Sequence, residues 1–116
     1  TLEEMGTVND LCHKQSIICK VIFEIAYLSP QEVTTLCHLA NQIKPDFVKT
    51  STGFAPTGAT VEMVRLMRQE CLPEIQVKAA GGIRDAATFL AMIEAGATRI
   101  GTSSGIKIIN QLKQLL

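Results

Sequence analysis

The chain has 116 residues, which is enough for a single domain with a hydrophobic core. Lysine plus arginine and aspartate plus glutamate both number 11, so the net charge is zero, and no block of like charge predicts a nucleic-acid or membrane surface. No run approaches the roughly 18 uncharged apolar residues of a membrane span, and no signal-peptide pattern opens the chain, so we expect a cytoplasmic protein.

The first third of the chain predicts a helix, a strand and a second helix. Apolar residues recur at helical spacing over 2–12, so the chain opens with a helix that has no strand before it. A β-rich apolar run predicts the first strand at 20–28. Ser29 and Glu32, with a proline at the first helical position, have the pattern of a capping box, and they predict a helix that ends before Pro45.

Three further strand-helix units follow at regular spacing. The predicted strand starts, Lys20, Asp46, Ile75 and Thr98, are separated by 26, 29 and 23 residues. A repeat of this kind predicts parallel strands joined by right-handed crossovers, and the short gaps favour a (βα) barrel over a doubly wound sheet. We predict strands at 46–51, 75–80 and 98–102, and helices at 61–70, from the N-cap Asp85 to Gly96, and after Gly105 through Leu116.

The cysteines and histidines show no metal-ligand spacing. We expect the cysteines to be buried free thiols and the histidines to be surface or packed residues of helices, so the residues predict no metal site. These residues are Cys12, Cys19, Cys37, Cys71, His13 and His38.

Two lysines occupy matching places, because Lys49 and Lys78 each end an apolar run and precede a glycine-containing turn. If the two runs are neighbouring parallel strands of a barrel, side-chain alternation puts both ammonium groups on the inward face, side by side. Like charges in contact disfavour protonation, and a neutral amine can attack a carbonyl to form a Schiff base. The alternative is that both are strand-end lysines that reach solvent.

Turns made of small residues follow the last two predicted strands. Gly81 and Gly82 allow close backbone approach, and Ser103 and Ser104 supply hydroxyl donors before a helix. In barrel enzymes the loops after the final two strands commonly hold a phosphate at a helix N-terminus. The sequence therefore predicts a phosphate site here, although tight strand-helix connections without a ligand would look similar. No dinucleotide or nucleoside-triphosphate motif is present.

The segments FVKTSTGF, VKAAGGIR and RIGTSSG, in this order, closely resemble the C-terminal half of deoxyribose-phosphate aldolase. That family consists of class I aldolases with a (βα)8 barrel. The resemblance implies that the whole chain, 1–116, is one α/β domain of about four βα units of a TIM barrel, with an extra N-terminal helix. It also implies reversible cleavage of 2-deoxyribose 5-phosphate into acetaldehyde and glyceraldehyde 3-phosphate.

The resemblance assigns roles to the residues already singled out. Lys49 would form the Schiff base, and Lys78 would lower the pKa of Lys49 and assist proton transfer. The sugar phosphate would bind at the small-residue turns, with Gly53 and Gly101 shaping the same pocket. No metal or other cofactor is implied, because the iminium is the electron sink. The phosphate-binding residues implied are Gly81, Gly82, Ser103 and Ser104.

The sequence departs from the family in one large respect, since it supplies equivalents of only four of eight strands. An aspartate that the family uses in proton transfer lies on an earlier strand and has no counterpart here. Lys20 and Glu24 alternate to one face of the first strand and would either border the site or form a structural layer. Four readings of the chain stay open. It is a piece of a longer enzyme, it forms a homo-oligomer, it associates with an N-terminal half, or it is an inactive phosphate-binding or interaction module.

Overall fold

The computed structural model of the protein describes residues 2–115. Four parallel strands form one sheet in the order β1-β2-β3-β4, and a helix follows each strand. The longest helix has 14 residues, and no helix within 2–115 is long and apolar enough to cross a membrane. The elements are α1 (Leu2–Lys14), β1 (Lys20–Ile22), α2 (Pro30–Ile43), β2 (Phe47–Lys49), α3 (Val61–Glu70), β3 (Gln76–Ala80), α4 (Ala86–Ala95), β4 (Ala97–Gly101) and α5 (Gly105–Leu115).

The strand register divides the sheet into two faces. Ile22 pairs with Lys49, Lys49 with Lys78, and Lys78 with Arg99, and residues paired in this way project from the same side. We call this side the concave face. The prediction that the two lysines share one face is confirmed by this register.

The core lies on the opposite, convex face, between the sheet and the helices. Fully buried strand residues there contact fully buried residues of α2 and α3, because alternate strand side chains point to this side. An interior built of aliphatic side chains on parallel strands agrees with the near absence of aromatic residues. Central members of this core are Val33, Cys37, Val48, Val64, Met67, Val77 and Ala79.

Helix boundaries follow the predicted capping residues. The Ser29 hydroxyl accepts a hydrogen bond from the N–H of Glu32, and the Glu32 carboxylate accepts one from the N–H of Ser29, so the capping box is confirmed. Asp85 caps α4 by accepting from the N–H of Thr88 at 2.8 Å. Leu116, the predicted end of the last helix, lies outside the described residues.

The first strand is much shorter than predicted, since β1 ends at Ile22 and not near residue 28. Glu24 has φ 42° and ψ 67°, a left-handed conformation that no strand allows, and a 3-10 turn follows at Ile25–Tyr27. Phe23 and Ile25 are both buried, so the apolar residues on either side of the bend pack into the core. The expectation that Glu24 continues a strand alternation with Lys20 is therefore wrong.

The concave face is largely exposed to solvent. Ile22 keeps 46% of its surface and Gln76 is exposed, as expected for a half-barrel. Phe47, which pairs with Lys20 on this face, is equally expected to be open to water in a half-barrel, but it is only 3% exposed. The guanidinium of Arg99 lies 4.5 Å from its ring centroid and the ammonium of Lys20 lies 5.9 Å away, so two cations cover the ring.

The cysteines and histidines take the structural places expected of them. All four cysteines are free thiols; Cys12 is half-buried and the other three are buried. His13 contacts Asp46 at 3.0 Å and His38 contacts Glu70 at 3.4 Å, and both histidines are exposed. These histidine contacts tie helices to neighbouring segments and lie away from the glycine turns.

Candidate active site

A pocket of about 360 Å³ lies where the carboxyl ends of β2, β3 and β4 meet. Parallel strands end at one edge of a sheet, so residues from three separate loops reach the same space. Six of the residues predicted from sequence line it: Lys49, Gly53, Gly81, Gly82, Gly101 and Ser103.

Two consecutive glycines shape the loop after β3. Gly81 has φ 92° and Gly82 has φ 77°, a region that other residues rarely adopt. Gly58 packs directly on this turn, and a Cβ at Gly58 would overlap the carbonyl of Gly81. The N–H of Ala59 donates to the carbonyls of Ala80 and Gly81, both at 3.1 Å. The long loop after β2 is thereby fastened against the loop after β3.

A buried hydroxyl joins the ends of β2 and β3. Thr50 is fully buried, and its Oγ1 donates to the carbonyl of Ala80 at 3.1 Å and accepts from the N–H of Ala80 at 3.0 Å. Since both bonds are made to the backbone of one residue, the hydroxyl continues the connection between the two strands where β2 ends. Thr50 therefore fixes the floor of the pocket without lining it.

Glu24 supports the site and does not line it. Its carboxylate accepts hydrogen bonds from both the backbone N–H and the hydroxyl of Thr52. The left-handed backbone at Glu24 turns this side chain toward the loop after β2. Neither role considered from the sequence describes Glu24, because its carboxylate bonds to Thr52 and not to a lysine of a structural layer, and it does not line the pocket.

The two lysines are neighbours with different surroundings. Lys49 and Lys78 are register partners on adjacent parallel strands, and only Lys49 lines the pocket. Lys78 packs beside Gly101, where a Cβ would lie 3.3 Å from Lys78 Cε and 3.1 Å from Ala80 Cβ. The missing side chain at Gly101 leaves room for the aliphatic part of Lys78.

The pKa of Lys78 is lowered from its usual value near 10.5. Burial is the largest cause, and repulsion from Lys49, Lys20 and Arg99 adds to it. A lower pKa means that more of this amine is neutral near pH 7. That Lys78 tunes Lys49, as the resemblance implies, stays a prediction.

The loop after β4 contains three hydroxyl residues with different surroundings. Thr102 and Ser103 line the pocket, and Thr102 donates to the carbonyl of the buried Ile83. Ser104 does not line it: its N–H donates to Thr102 Oγ1, and its carbonyl accepts from the N–H of Ile108 at the start of α5. A role for Ser104 in phosphate binding stays a prediction.

Six further residues line the pocket that sequence analysis did not assign to it: Thr52, Phe54, Ala80, Ile83, Arg84 and Thr102. Arg84 ends the VKAAGGIR segment, and a cation beside a glycine turn is a usable signal for anion binding. Phe54 is 97% exposed at the pocket mouth, which no local pattern indicated. Thr52 is placed by its bonds to Glu24, a contact between residues far apart in sequence.

The pocket therefore combines an amine with groups suited to a phosphate. Lys49 and Arg84 are its cations, and none of its lining residues within 2–115 is a carboxylate. Glycine turns that let a ligand approach the backbone, together with hydroxyl groups, favour an anionic ligand. A βα sheet with such loops at its carboxyl edge is characteristic of barrel enzymes that act on phosphorylated substrates.

The chain belongs to the DeoC/LacD family of aldolases. The family model matches residues 1–111. The chain is 51% identical over 111 residues to the deoxyribose-phosphate aldolase of Lactobacillus acidophilus. That alignment covers 96% of this chain and 47% of the relative. The chain thus spans about half the length of the curated relatives it matches.

Two solved structures show the same arrangement. The aldolase QR15 has a TM-score of 0.86 and 45% identity over 97% of this chain and 50% of that chain. The deoxyribose phosphate aldolase of Aeropyrum pernix, described as having a unique tetrameric structure, has a TM-score of 0.88 and 30% identity. The match covers 99% of this chain and 50% of that chain. The four βα units are therefore half of a TIM barrel, and the chain corresponds to the C-terminal half of these enzymes.

Proposed function

We propose that the chain carries the lysine and phosphate-binding half of a deoxyribose-phosphate aldolase active site. The substrate would be 2-deoxyribose 5-phosphate, cleaved reversibly into acetaldehyde and glyceraldehyde 3-phosphate. The observation that carries the proposal is that Lys49 lines the same pocket as Gly81, Gly82 and Ser103. An amine able to attack a carbonyl and loops able to hold a phosphate thus border one space, as a phosphorylated aldehyde requires.

Lys49 supplies the covalent chemistry. Its neutral amine adds to the C1 aldehyde of the open-chain sugar, and loss of water leaves an iminium. When a base removes the proton of the C3 hydroxyl, the C2–C3 bond breaks and its electrons enter the iminium, which becomes an enamine. Glyceraldehyde 3-phosphate departs. The enamine then takes a proton at C2, and water hydrolyses the new iminium to release acetaldehyde and free Lys49.

Lys78 is proposed to move protons beside the covalent bond. It is the register partner of Lys49, and burial and three neighbouring cations lower its pKa. A neutral amine in this position can take up a proton and return it during the cycle. Its place beneath Gly101 and outside the pocket lining favours this role over covalent attack.

The phosphate is proposed to bind at the loops after β3 and β4. Backbone N–H groups at Gly81 and Gly82, the hydroxyl of Ser103 and the guanidinium of Arg84 border the same part of the pocket. Ser104 would contribute from the start of α5, and Gly53 and Gly101 shape the pocket walls. No metal or cofactor is needed for these steps. The expectation of a cytoplasmic location stays a prediction.

Reduction of the Schiff base with borohydride tests this proposal. The chain is incubated with 2-deoxyribose 5-phosphate and borohydride, alone and together with the N-terminal half of the Lactobacillus acidophilus relative, and the modified residue is mapped by mass spectrometry. We expect a substrate-dependent adduct on Lys49. Lys49→Met should abolish it, whereas Lys113→Met, an exposed lysine on α5, should leave it unchanged.

The same preparations separate the enzyme from a binding module. Glyceraldehyde 3-phosphate is titrated in parallel, and Lys49→Met should retain saturable binding because the anion groups lie on other loops. Saturable binding without any lysine adduct, in the chain and in the combined halves, would favour the phosphate-binding module. An adduct on Lys78 in place of Lys49 would contradict the assignment of the two lysines.

A further inference from the structure

Two buried thiols meet between α2 and the turn that follows α3. Cys37 of α2 has no exposed surface, and Cys71, at the end of α3, is only 5% exposed. Asn41 fixes their placement, because its Nδ2 donates to the carbonyl of Glu70 at 2.9 Å and its Oδ1 accepts from the N–H of Leu72 at 2.8 Å. These two bonds hold the backbone on both sides of Cys71 against α2.

Helical spacing then brings the two sulfur atoms together. Cys37 precedes Asn41 by one helical turn, so both side chains lie on the face of α2 that packs against the end of α3. A hydrogen bond joins the thiols of Cys37 and Cys71, and both residues belong to the hydrophobic core. The two cysteines are far apart in sequence, so they become a pair only through the fold.

The two thiols have different electrostatic surroundings. The guanidinium of Arg68 donates to the carbonyls of Leu72 at 2.6 Å and Ile75 at 2.7 Å, which holds its charge beside Cys71. The pKa of Cys71 is lowered, first by the hydrogen bond from Cys37 and further by Arg68, although burial acts in the opposite direction. The pKa of Cys37 is raised, because its proton is held in that hydrogen bond and burial disfavours its anion. Cys71 therefore reaches the reactive thiolate form more readily than Cys37.

Cys12 and Cys19 provide an internal comparison, because their surroundings are the opposite. Burial is the largest cause that raises the pKa of Cys19 to about 11, and the neighbouring Cys12 adds to the rise. The Asp46 carboxylate accepts from the N–H of Cys19 at 2.8 Å, so an anion lies beside this thiol where Cys71 has a cation. The thiolate of Cys19 is therefore disfavoured.

We propose that Cys37 and Cys71 form a redox-modification site, where a peroxide converts the two thiols into a disulfide between α2 and the turn after α3. The Cys71 thiolate attacks one oxygen of hydrogen peroxide, the O–O bond breaks, and the departing hydroxide takes the proton that Cys71 released. The Cys37 sulfur then attacks the sulfenic acid on Cys71, and its proton leaves with the hydroxyl group as water. Two thiols and one peroxide thus give one disulfide and two water molecules.

The disulfide would close a loop of the chain that contains β2 and Lys49. Closing a loop reduces the conformational freedom of the unfolded chain, so a disulfide that fits the native packing stabilises the fold. The two thiols are already in contact, and for this reason we expect the bond to form without separation of α2 from α3. This inference is independent of the proposed aldolase chemistry.

Peptide mapping after oxidation tests the proposal. The chain is treated with hydrogen peroxide, its remaining thiols are alkylated, and linked peptides are identified by mass spectrometry before and after reduction with dithiothreitol. We expect a peptide pair joined through Cys37 and Cys71 that dithiothreitol separates. The thermal midpoint should rise by about 10 °C on oxidation and return on reduction. An unchanged or lower midpoint in the linked chain would contradict the native contact of the two thiols.

Single substitutions test the order of the two steps. Cys37→Ala should leave a sulfenic acid on Cys71 that dimedone captures, whereas Cys71→Ala should leave Cys37 unmodified. The matched control is Cys12→Ala, which removes a half-buried thiol of α1 and should leave the disulfide unchanged. Circular dichroism verifies the folding of each variant. The proposal is overturned if the folded chain forms no link between Cys37 and Cys71, including when Cys12 and Cys19 become linked instead.

Discussion

The two faces of the sheet are opposite environments on one set of strands. Val48 and Val77 on the convex face are fully buried beneath helices, and Met67 of α3 packs there with no exposed surface. On the concave face Ile22 is 46% exposed and Arg99 is also exposed. Burial of apolar surface on one side therefore stabilises the four units, and little comparable burial exists on the other side.

This difference explains how a half-barrel can retain the fold of the complete enzymes. The helices cover the convex face with residues from the same four units, so that layer needs no other part of a barrel. The concave face would face the barrel interior, whose remaining walls belong to other strands. The pocket lies at the carboxyl edge, where the loops after β2 and β3 are fastened to each other by hydrogen bonds from Ala59.

Deleting apolar volume should affect the two faces very differently. Met67→Ala removes a fully buried side chain and should lower the free energy of unfolding by about 2–5 kcal/mol. Ile22→Ala, on the concave face, should lower it by less than about 1 kcal/mol in the free chain. Urea titration followed by circular dichroism measures both. Equal losses would mean that the concave face is packed.

The stability of the sheet at its carboxyl edge should depend on the buried hydroxyl of Thr50. Thr50→Val leaves the N–H of Ala80 without its Thr50 partner and removes one of the two hydrogen bonds to the Ala80 carbonyl, and it should cost about 1–3 kcal/mol of unfolding free energy. Thr7→Val removes an exposed hydroxyl that bonds to the carbonyl of Glu3 and should change stability by about 0.5 kcal/mol or less. A cost for Thr50→Val no larger than that for Thr7→Val would show that the pocket floor does not depend on this residue.

Removing a concave cation should have a small effect of the opposite sign. The folded-state pKa of Lys78 lies below its usual value near 10.5, so its protonated form is less favourable in the folded chain. This penalty is fully present below the folded pKa and fades as the pH rises from that pKa toward 10.5. Lys78→Met should therefore stabilise the free chain at pH 7, and the gain should shrink toward alkaline pH.

The control for this prediction is Lys113→Met on α5, which should leave the thermal midpoint unchanged at both pH values. Melting curves at neutral and alkaline pH measure the difference between the variants. A destabilising effect of Lys78→Met at pH 7 would mean that the packing of its aliphatic chain beside Gly101 outweighs the charge repulsion.

Local rules predicted the helix starts because the responsible contacts are local. Ser29 and Glu32 satisfy each other's backbone N–H groups within three residues, and the Asp85 carboxylate accepts from the N–H of Thr88 at the start of α4. The order of strands also followed from spacing alone, since consecutive βα units pair as neighbours. The two lysines then became neighbours as a consequence of register.

Predictions failed where distant residues determine the conformation. The bend that ends β1 is stabilised by bonds from Glu24 to Thr52, 28 positions away, while the sequence around it resembles a buried strand. Phe47 is covered by Arg99, which lies two strands away, so no pattern along β2 indicates its burial. The exposed Phe54 joins the pocket only because its loop folds back on Gly81.

Chemical labelling of lysines tests the contrast between the two faces most directly. Acylation rates of Lys20, on the concave face, and Lys113, on the outer surface of α5, are measured by mass spectrometry with and without the N-terminal half of the Lactobacillus acidophilus relative. Both lysines should react readily in the free chain, and binding of the partner half should protect Lys20 but not Lys113. If Lys20 is protected in the free monomeric chain, or stays reactive in the complex, the concave face is not the interior surface described here.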